Sequence, residues 1–173
     1  MIRSGIGYDI HRFADGLKLI LGGVEIAHPR GLEGHSDADV LSHAIADALL
    51  GAIAAGDIGQ HFPNTDESIR GISSIEILQS VTKLLAERNA RVLNVDATVI
   101  AEAPKLAPHA PAMRQRIAAA IGLTESEVSI KATTNEKLGP IGEGEGIAAI
   151  AIAMVETMRV ILRDSSTSLG MTN

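Results

Sequence analysis

The run GHSDADVLSHAIADALL, from Gly34 to Leu50, constrains this chain more than any other stretch. It reads as an alanine-rich helix with two unlike sides. Residues four apart share a helix face, so Asp39, His43 and Asp47 form one polar stripe, and Val40, Leu41, Ala44, Ile45, Ala48 and Leu49 form the opposite, apolar side. Such a helix must bury one side and keep the other at a polar boundary. His35, Ser36 and Asp37 stand at its entrance, where an N-cap belongs and where free N–H groups favour an anion. From these residues alone, His35 and Ser36 either hold a phosphate or simply cap the helix.

The flanking segments supply something for the helix to pack on. Ile2 to Phe13 reads as a strand, with Ile6, Tyr8 and Ile10 on one face and Asp9 and His11 on the other. Leu17 to Ile26 reads as a second strand, broken or bulged at Gly22-Gly23. A loop through Pro29, Gly31 and Gly34 then leads into the helix, which should end near Gly56. Asp57 to Arg70 is polar and turn-rich, the pattern of a mobile loop. Ser73-x-x-Glu76 is a capping box for a helix running to about Arg88, with Leu78, Val81 and Leu85 inward.

Val92 to Ala101 follows as a strand, and then the proline-punctuated EAPKLAPHAP. Pro111 suits the first turn of a further helix that stops at Gly122, and Thr124-x-x-Glu127 caps a short turn. Val128 to Thr133 and Ile147 to Val155 complete the strands, separated by the glycine-rich loop TNEKLGPIGEGEG. Alternating strands and helices predict one α/β or α+β layer, with helices over one sheet face. The other face also needs cover, and the small apolar residues of 147–155 suit packing against further copies of the chain.

Composition narrows the function. With no cysteine, any metal must be held by histidine and carboxylate. A formal net charge of -6, 2% aromatic residues and no Lys/Arg cluster argue against nucleic acid as the main partner. No apolar run is long enough to span a bilayer, and MIRSGIGYDIH lacks the pattern of a signal or transit peptide. A cytoplasmic protein of one domain is the expectation, with no membrane partner.

Asp9 and His11, two apart on a strand, and His43 on the helix offer one carboxylate and two imidazoles. That donor set holds Zn²⁺ with a position left open; taken singly, each residue also reads as a solvated side chain. Asp39 or Asp47 either orients His43 or is an ordinary helix charge. Thr133, Thr134 and Glu136, at a strand end, either serve a second divalent ion or make a turn. The GEGEG run from Gly142 fits no phosphate-loop pattern. His28, His61 and His109 have no partners at ligand spacing and are left outside the metal site.

Together these motifs resemble the 2-C-methyl-D-erythritol 2,4-cyclodiphosphate synthase family, from Gly5 to about Glu156. The resemblance rests on GYDIHRF (7–13), GHSDADVLSHA (34–44), DIGQHFPNTD (57–66), NVDATVIA (94–101), APKL (103–106), KATTNEKLG (131–139) and GEGIA (144–148), all in order. It implies an α/β, α+β-like fold: a single domain over residues 1–160, with one mixed β-sheet and helices on one face. The other face would turn to the interior of a homotrimer, and 161–173 would form a disordered tail.

The implied reaction closes 4-diphosphocytidyl-2-C-methyl-D-erythritol 2-phosphate into a cyclic diphosphate with release of CMP. By position, Asp9, His11 and His43 would hold Zn²⁺, and His35 and Thr134 would stabilise the transition state. Glu136 would help bind Mg²⁺ or Mn²⁺. Ser36, Asp57, Gly59, Phe62, Asn64 and Asp66 would meet the methylerythritol phosphate. Ala101, Ala103, Pro104, Lys105, Leu106, Thr133 and Asn135 would hold the cytidine from the adjacent subunit. Two positions depart from the family pattern. Glu143 replaces a frequent arginine associated with an anion in the trimer's central cavity, and Asn64 replaces a frequent aspartate.

Overall fold

The first strand and the first long helix lie almost in backbone contact, and two glycines make that possible. In the computed structural model, which describes residues 1–158, β1 (Ile2–Asp15) passes beneath α1 (Val40–Ala52). A Cβ at Gly5 would lie 2.0 Å from the Ala48 carbonyl oxygen, and one at Gly7 would lie 2.0 Å from that of Ala44. Neither oxygen can yield, because each belongs to the helix backbone. Gly7→Ala is therefore expected to cost about 3 kcal/mol, read as a fall in the urea midpoint of the metal-free protein. An unchanged midpoint would contradict the close approach.

Because side chains alternate along a strand, Gly5, Gly7, Asp9 and His11 form one inward row. The glycines seat the helix, and the two polar residues then emerge under its N-terminal turn. Next to this row, β7 (Gly146–Thr157) pairs antiparallel with β1 and presents Ala149, Ala151 and Ala153 inward, all buried. The small residues Ala149, Ala151 and Ala153 thus pack beneath α1, on the helix-covered face. The large side chains Ile150 and Ile152 point outward beside Ile6, Tyr8 and Ile10, on the face away from the helices.

The main sheet runs β4-β1-β7-β5-β6. Here β4 is Arg30–Leu32, β5 is Ala90–Ile100 and β6 is Val128–Thr133. Only β5 and β6 pair in parallel, so the sheet is mixed as expected. On its inner face lie α1, α3 (Ser74–Glu87) and α4 (Ala110–Ile121), around a core that includes Leu41, Ile45, Leu49, Leu78, Leu85, Met113 and Ile117. Pro111 sits in the first turn of α4, and Gly122, in the left-handed conformation, ends it.

Several local expectations are corrected. Leu17 to Ile26 is a hairpin, not one bulged strand: β2 (Leu19–Leu21) turns through Gly22-Gly23 into β3 (Val24–Ile26). Both glycines have positive φ, which a two-residue hairpin turn of this kind requires. The loop after Pro29 contains β4, paired with the end of β1. Within 57–70, α2 (Ile58–His61) and a 3₁₀ turn over Glu67–Ile69 replace a plain loop. A single helical turn, α5 (Gly139–Gly142), interrupts the glycine-rich segment. The tail expected over 161–173 lies outside the described residues. No helix among the described residues is long and apolar enough to cross a membrane.

Candidate functional site

The helix at the heart of the sequence starts later than its polar entrance suggested. Asp39, not Ser36, is the N-cap of α1, accepting from the Ser42 backbone N–H at 3.1 Å. Its carboxylate is fully buried and also takes the Ser42 hydroxyl and the N–H groups of Gly22 and Gly23 at 2.7, 2.9 and 2.7 Å. Burial pushes this carboxyl above the usual carboxylate range, against the pull of those four donors. Asp39 therefore ties the β2–β3 hairpin to α1 and does not orient His43. Nor does Asp47, whose carboxylate accepts from the Ile58 N–H at 2.7 Å and anchors α2.

One turn into α1, His43 meets the polar end of the inward row of β1. His43 Nδ1 lies 2.9 Å from Asp9 Oδ2 and 3.3 Å from His11 Nε2, and the last two atoms are 2.9 Å apart. The tautomer of His11 is fixed, because its Nδ1–H donates to the Glu33 carbonyl at 2.6 Å, which only accepts. That leaves the Nε2 lone pair of the neutral ring facing Asp9 and His43. Three acceptor atoms thus converge on one point, an arrangement that calls for a cation. Their separations of 2.9, 2.9 and 3.3 Å reach or fall slightly short of the edge of about 3.3 Å in a tetrahedral shell with zinc-like bond lengths. Among the described residues this is the group that can hold a metal ion.

The electrostatics agree. Burial alone would raise Asp9, but hydrogen bonds and charge from His11 and His43 outweigh it and hold the carboxyl far below the usual range. Burial alone would lower His11, yet the hydrogen bond and charge of Asp9 hold it above the ordinary imidazole value. Both shifts register a centre that draws positive charge, whether proton or metal. His28, His61 and His109 stand apart from it, as expected: His28 stacks on Phe13 and His61 bonds the Ala55 carbonyl.

The triad opens into a cavity of about 360 Å³ whose lining includes Gly34, His35, Ser36, Phe62 and Asn64, with Ile58, Ile69 and Ile72 as apolar wall. His35 Nε2–H donates to the Asp66 carbonyl at 3.1 Å and so binds the 62–66 segment to the helix entrance. Three predicted residues belong to the same region without lining the cavity. Asp57 caps α2 through Gln60, Gly59 lies within α2, and the Asp66 carboxylate caps the following 3₁₀ turn through Ser68.

The remaining predicted residues gather elsewhere. Ala101, Pro104, Lys105, Leu106, Thr133 and Thr134 line a second cavity of about 340 Å³, which shares no residue with the first. Ala103 lies within this segment. Next to it Asn135 and Glu136 form a turn in which Glu136 and Lys137 both have positive φ, a conformation that costs energy outside glycine. Glu102, which the sequence did not single out, holds the turn by accepting from the Asn135 and Lys137 N–H groups at 2.9 and 3.3 Å. Thr134 Oγ1 donates to Glu136 Oε1 at 3.0 Å, so these two predicted side chains do meet.

Register fixes the relation of the two cavities. Asp9 pairs with Ala149, Ala149 with Val99, and Val99 with Ala132. The metal triad and the base of the second cavity therefore stand in one row at the same end of the sheet, three strand spacings or about 14 Å apart.

The family model of the YgbB family matches residues 2–156. A 2-C-methyl-D-erythritol 2,4-cyclodiphosphate synthase of Alkaliphilus metalliredigens is 58% identical over 154 residues, covering 89% of this chain and 97% of its own. Among solved structures, the bifunctional IspDF of Campylobacter jejuni superposes with a TM-score of 0.88 at 39% identity. The match covers 91% of this chain and 43% of that longer one. IspF of Plasmodium falciparum, solved as a CDP complex, gives a TM-score of 0.79 at 35% identity, covering 91% of this chain and 97% of its own.

Proposed function

The chain belongs to the YgbB family, and from that premise we infer that it converts 4-diphosphocytidyl-2-C-methyl-D-erythritol 2-phosphate into 2-C-methyl-D-erythritol 2,4-cyclodiphosphate and CMP. The observation that carries this reading is the convergence of Asp9, His11 and His43 in the lining of a cavity of about 360 Å³. In the reaction an oxygen of the 2-phosphate forms a bond to the β-phosphorus, and the bond from that phosphorus to the CMP oxygen breaks. The nucleophile is part of the substrate, so the protein needs no nucleophile of its own. Its task is positioning and charge neutralisation.

The predicted residues that line the two cavities or form the triad divide that task. Asp9, His11 and His43 hold Zn²⁺, which when bound supplies Lewis acidity to the phosphoryl oxygens. Glu136 takes part in holding Mg²⁺ or Mn²⁺. His35 and Thr134 donate to charge that develops on the diphosphate, and Ser36, Asn64 and Phe62 fix the methylerythritol phosphate. Residues 101–106 with Thr133 and Asn135 form the nucleoside cavity, a reading supported by the CDP complex of the Plasmodium relative. The substrate is charged and does not cross a bilayer unaided, which favours a cytoplasmic setting.

A homotrimer completes the reading. Ile6 is 65% exposed and Ile152 49% exposed on the outer sheet face, an apolar patch that favours self-association. The two cavities, at opposite edges of the sheet, join into one active site only when neighbouring copies bring them together.

The direct test is incubation of the purified protein with the substrate, Zn²⁺ and Mg²⁺, followed by phosphorus NMR. CMP and a cyclic diphosphate are expected in equal amounts. Linear phosphate products would instead identify a metal-dependent hydrolase, and zinc binding without CMP release would identify a binding protein.

A further inference from the structure

His43 has a second ring nitrogen, and one of its neighbours there, Ser74, has no role assigned above. Its Nε2 is 3.0 Å from Ser74 Oγ and 3.0 Å from Ser36 Oγ. Ser74 is the first residue of α3, fully buried, and its hydroxyl donates to Asp37 Oδ1. The Ser74 backbone N–H donates to the other Asp37 oxygen at 3.0 Å. Asp37 therefore grips Ser74 with both oxygens, and Asp37 is itself held where its own N–H donates to the Ile72 carbonyl at 3.1 Å.

A hydroxyl has one proton. Since that of Ser74 is committed to Asp37, Ser74 Oγ faces His43 only as an acceptor and draws the proton of the neutral ring to Nε2, in competition with the pull of Asp9 on Nδ1. Ser36 Oγ accepts from the Ala38 N–H at 3.1 Å and can accept from the same Nε2–H. The Nδ1 lone pair is then left pointing at Asp9 and His11.

We propose that Asp37 and Ser74 are positioning residues for the metal centre: through an Asp37–Ser74–His43 relay they fix the His43 tautomer and ring orientation that make Nδ1 a ligand. This rests on the reading of Asp9, His11 and His43 as a metal site. The relay also couples the N-terminus of α3 to α1, so two helices and β1 set the geometry of one ion. Groups that orient a ligating histidine from its far side commonly change metal affinity by about 10–100-fold when removed.

The decisive substitution is Asp37→Asn, which preserves shape. The Ser74 N–H must still find an acceptor, so the amide oxygen takes its place there and the NH₂ group faces Ser74 Oγ. Ser74 then becomes an acceptor from residue 37, and its own proton turns to His43 Nε2. That imposes the opposite tautomer, with the proton on Nδ1 and no ligand lone pair. Ser74→Ala removes the relay while leaving the backbone N–H that Asp37 caps.

The test uses the full chain. Nitrogen NMR of the metal-free, ¹⁵N-histidine-labelled protein should show the Nε2–H form of His43 in the wild type. It should show Nδ1–H in Asp37→Asn and a mixture in Ser74→Ala. Chelator competition should show zinc affinity reduced about 10–100-fold in both variants, with the metal-free melting temperature of Ser74→Ala close to wild type. Unchanged nitrogen shifts with unchanged zinc affinity would overturn the relay. So would a fall in melting temperature without a fall in affinity, which is what a purely structural role predicts. A wild type that holds no zinc would instead overturn the metal reading of the triad, while the nitrogen shifts of the metal-free protein would still decide the tautomer.

Discussion

His43→Ala is expected to hold no zinc after gel filtration and to turn over substrate roughly 10³-fold more slowly, a loss of about 4 kcal/mol of transition-state stabilisation. The imidazole is central to the cluster, with Nδ1 within 3.3 Å of both other ligand atoms. Without it only Asp9 and His11 remain, two donors for an ion that needs at least three protein ligands in a catalytic site. The fold should survive. Alanine is the best helix former, the apolar face of α1 is untouched, and no backbone hydrogen bond depends on the ring. Circular dichroism and the melting transition separate loss of metal from loss of structure. Full activity in the variant would refute the metal assignment. Zinc bound at wild-type level with turnover lost would move His43 from ligand to substrate contact.

The residues of this centre differ in how visible they were in the sequence. Asp9 and His11 were legible because strand alternation is a local rule: two positions apart means one face. His43 was legible because helical spacing is equally local. That they meet follows from Gly5 and Gly7, whose meaning is tertiary. A glycine in a strand signals nothing specific until a helix carbonyl is found 2.0 Å from where its Cβ would be. The helix-covered face was read correctly from the alternation of elements, and the mixed sheet from the family resemblance.

The misreadings share a cause, which is that short polar side chains have many possible partners. Asp39 stood open between a helper of His43 and an ordinary helix charge; it is the helix cap, and no spacing rule announced that the hairpin turn would bring the Gly22 and Gly23 N–H groups to its carboxylate. Ser73 was correctly read as the cap of α3, whereas the reciprocal bond expected from Glu76 is not its partner in the structure. Asp37 accepts from the following N–H, that of Ser74. Ser74 and Asp37, 37 residues apart, carry no spacing rule that would join them. Glu102 was hidden in the same way, since the backbone it holds at 135–137 lies across a strand and a helix from it. Local periodicity finds ligands, and it misses the groups that hold ligands and loops in place.

Mixing two inactive variants should restore activity, and this outcome tests the architecture of the site rather than any one residue. His43→Ala damages the metal cavity and leaves the nucleoside cavity intact. A chain carrying both Thr134→Ala and Glu136→Ala does the reverse, because those side chains lie at the other sheet edge, about 14 Å away along the row from Asp9 to Ala132. If each active site took both halves from one chain, no combination of the two variants would turn over. If each site takes its metal half from one subunit and its nucleoside half from the next, a cyclic assembly has a defined recovery. A site is whole when its metal half comes from the Thr134/Glu136 variant and its nucleoside half from the His43 variant. After unfolding and refolding of an equal mixture, each condition is met half the time, so about a quarter of wild-type turnover is expected. Refolded separately, each parent should stay inactive. A mixture that remained as inactive as its parents, while sedimenting as a mixed oligomer, would place both halves within one chain and refute the shared site.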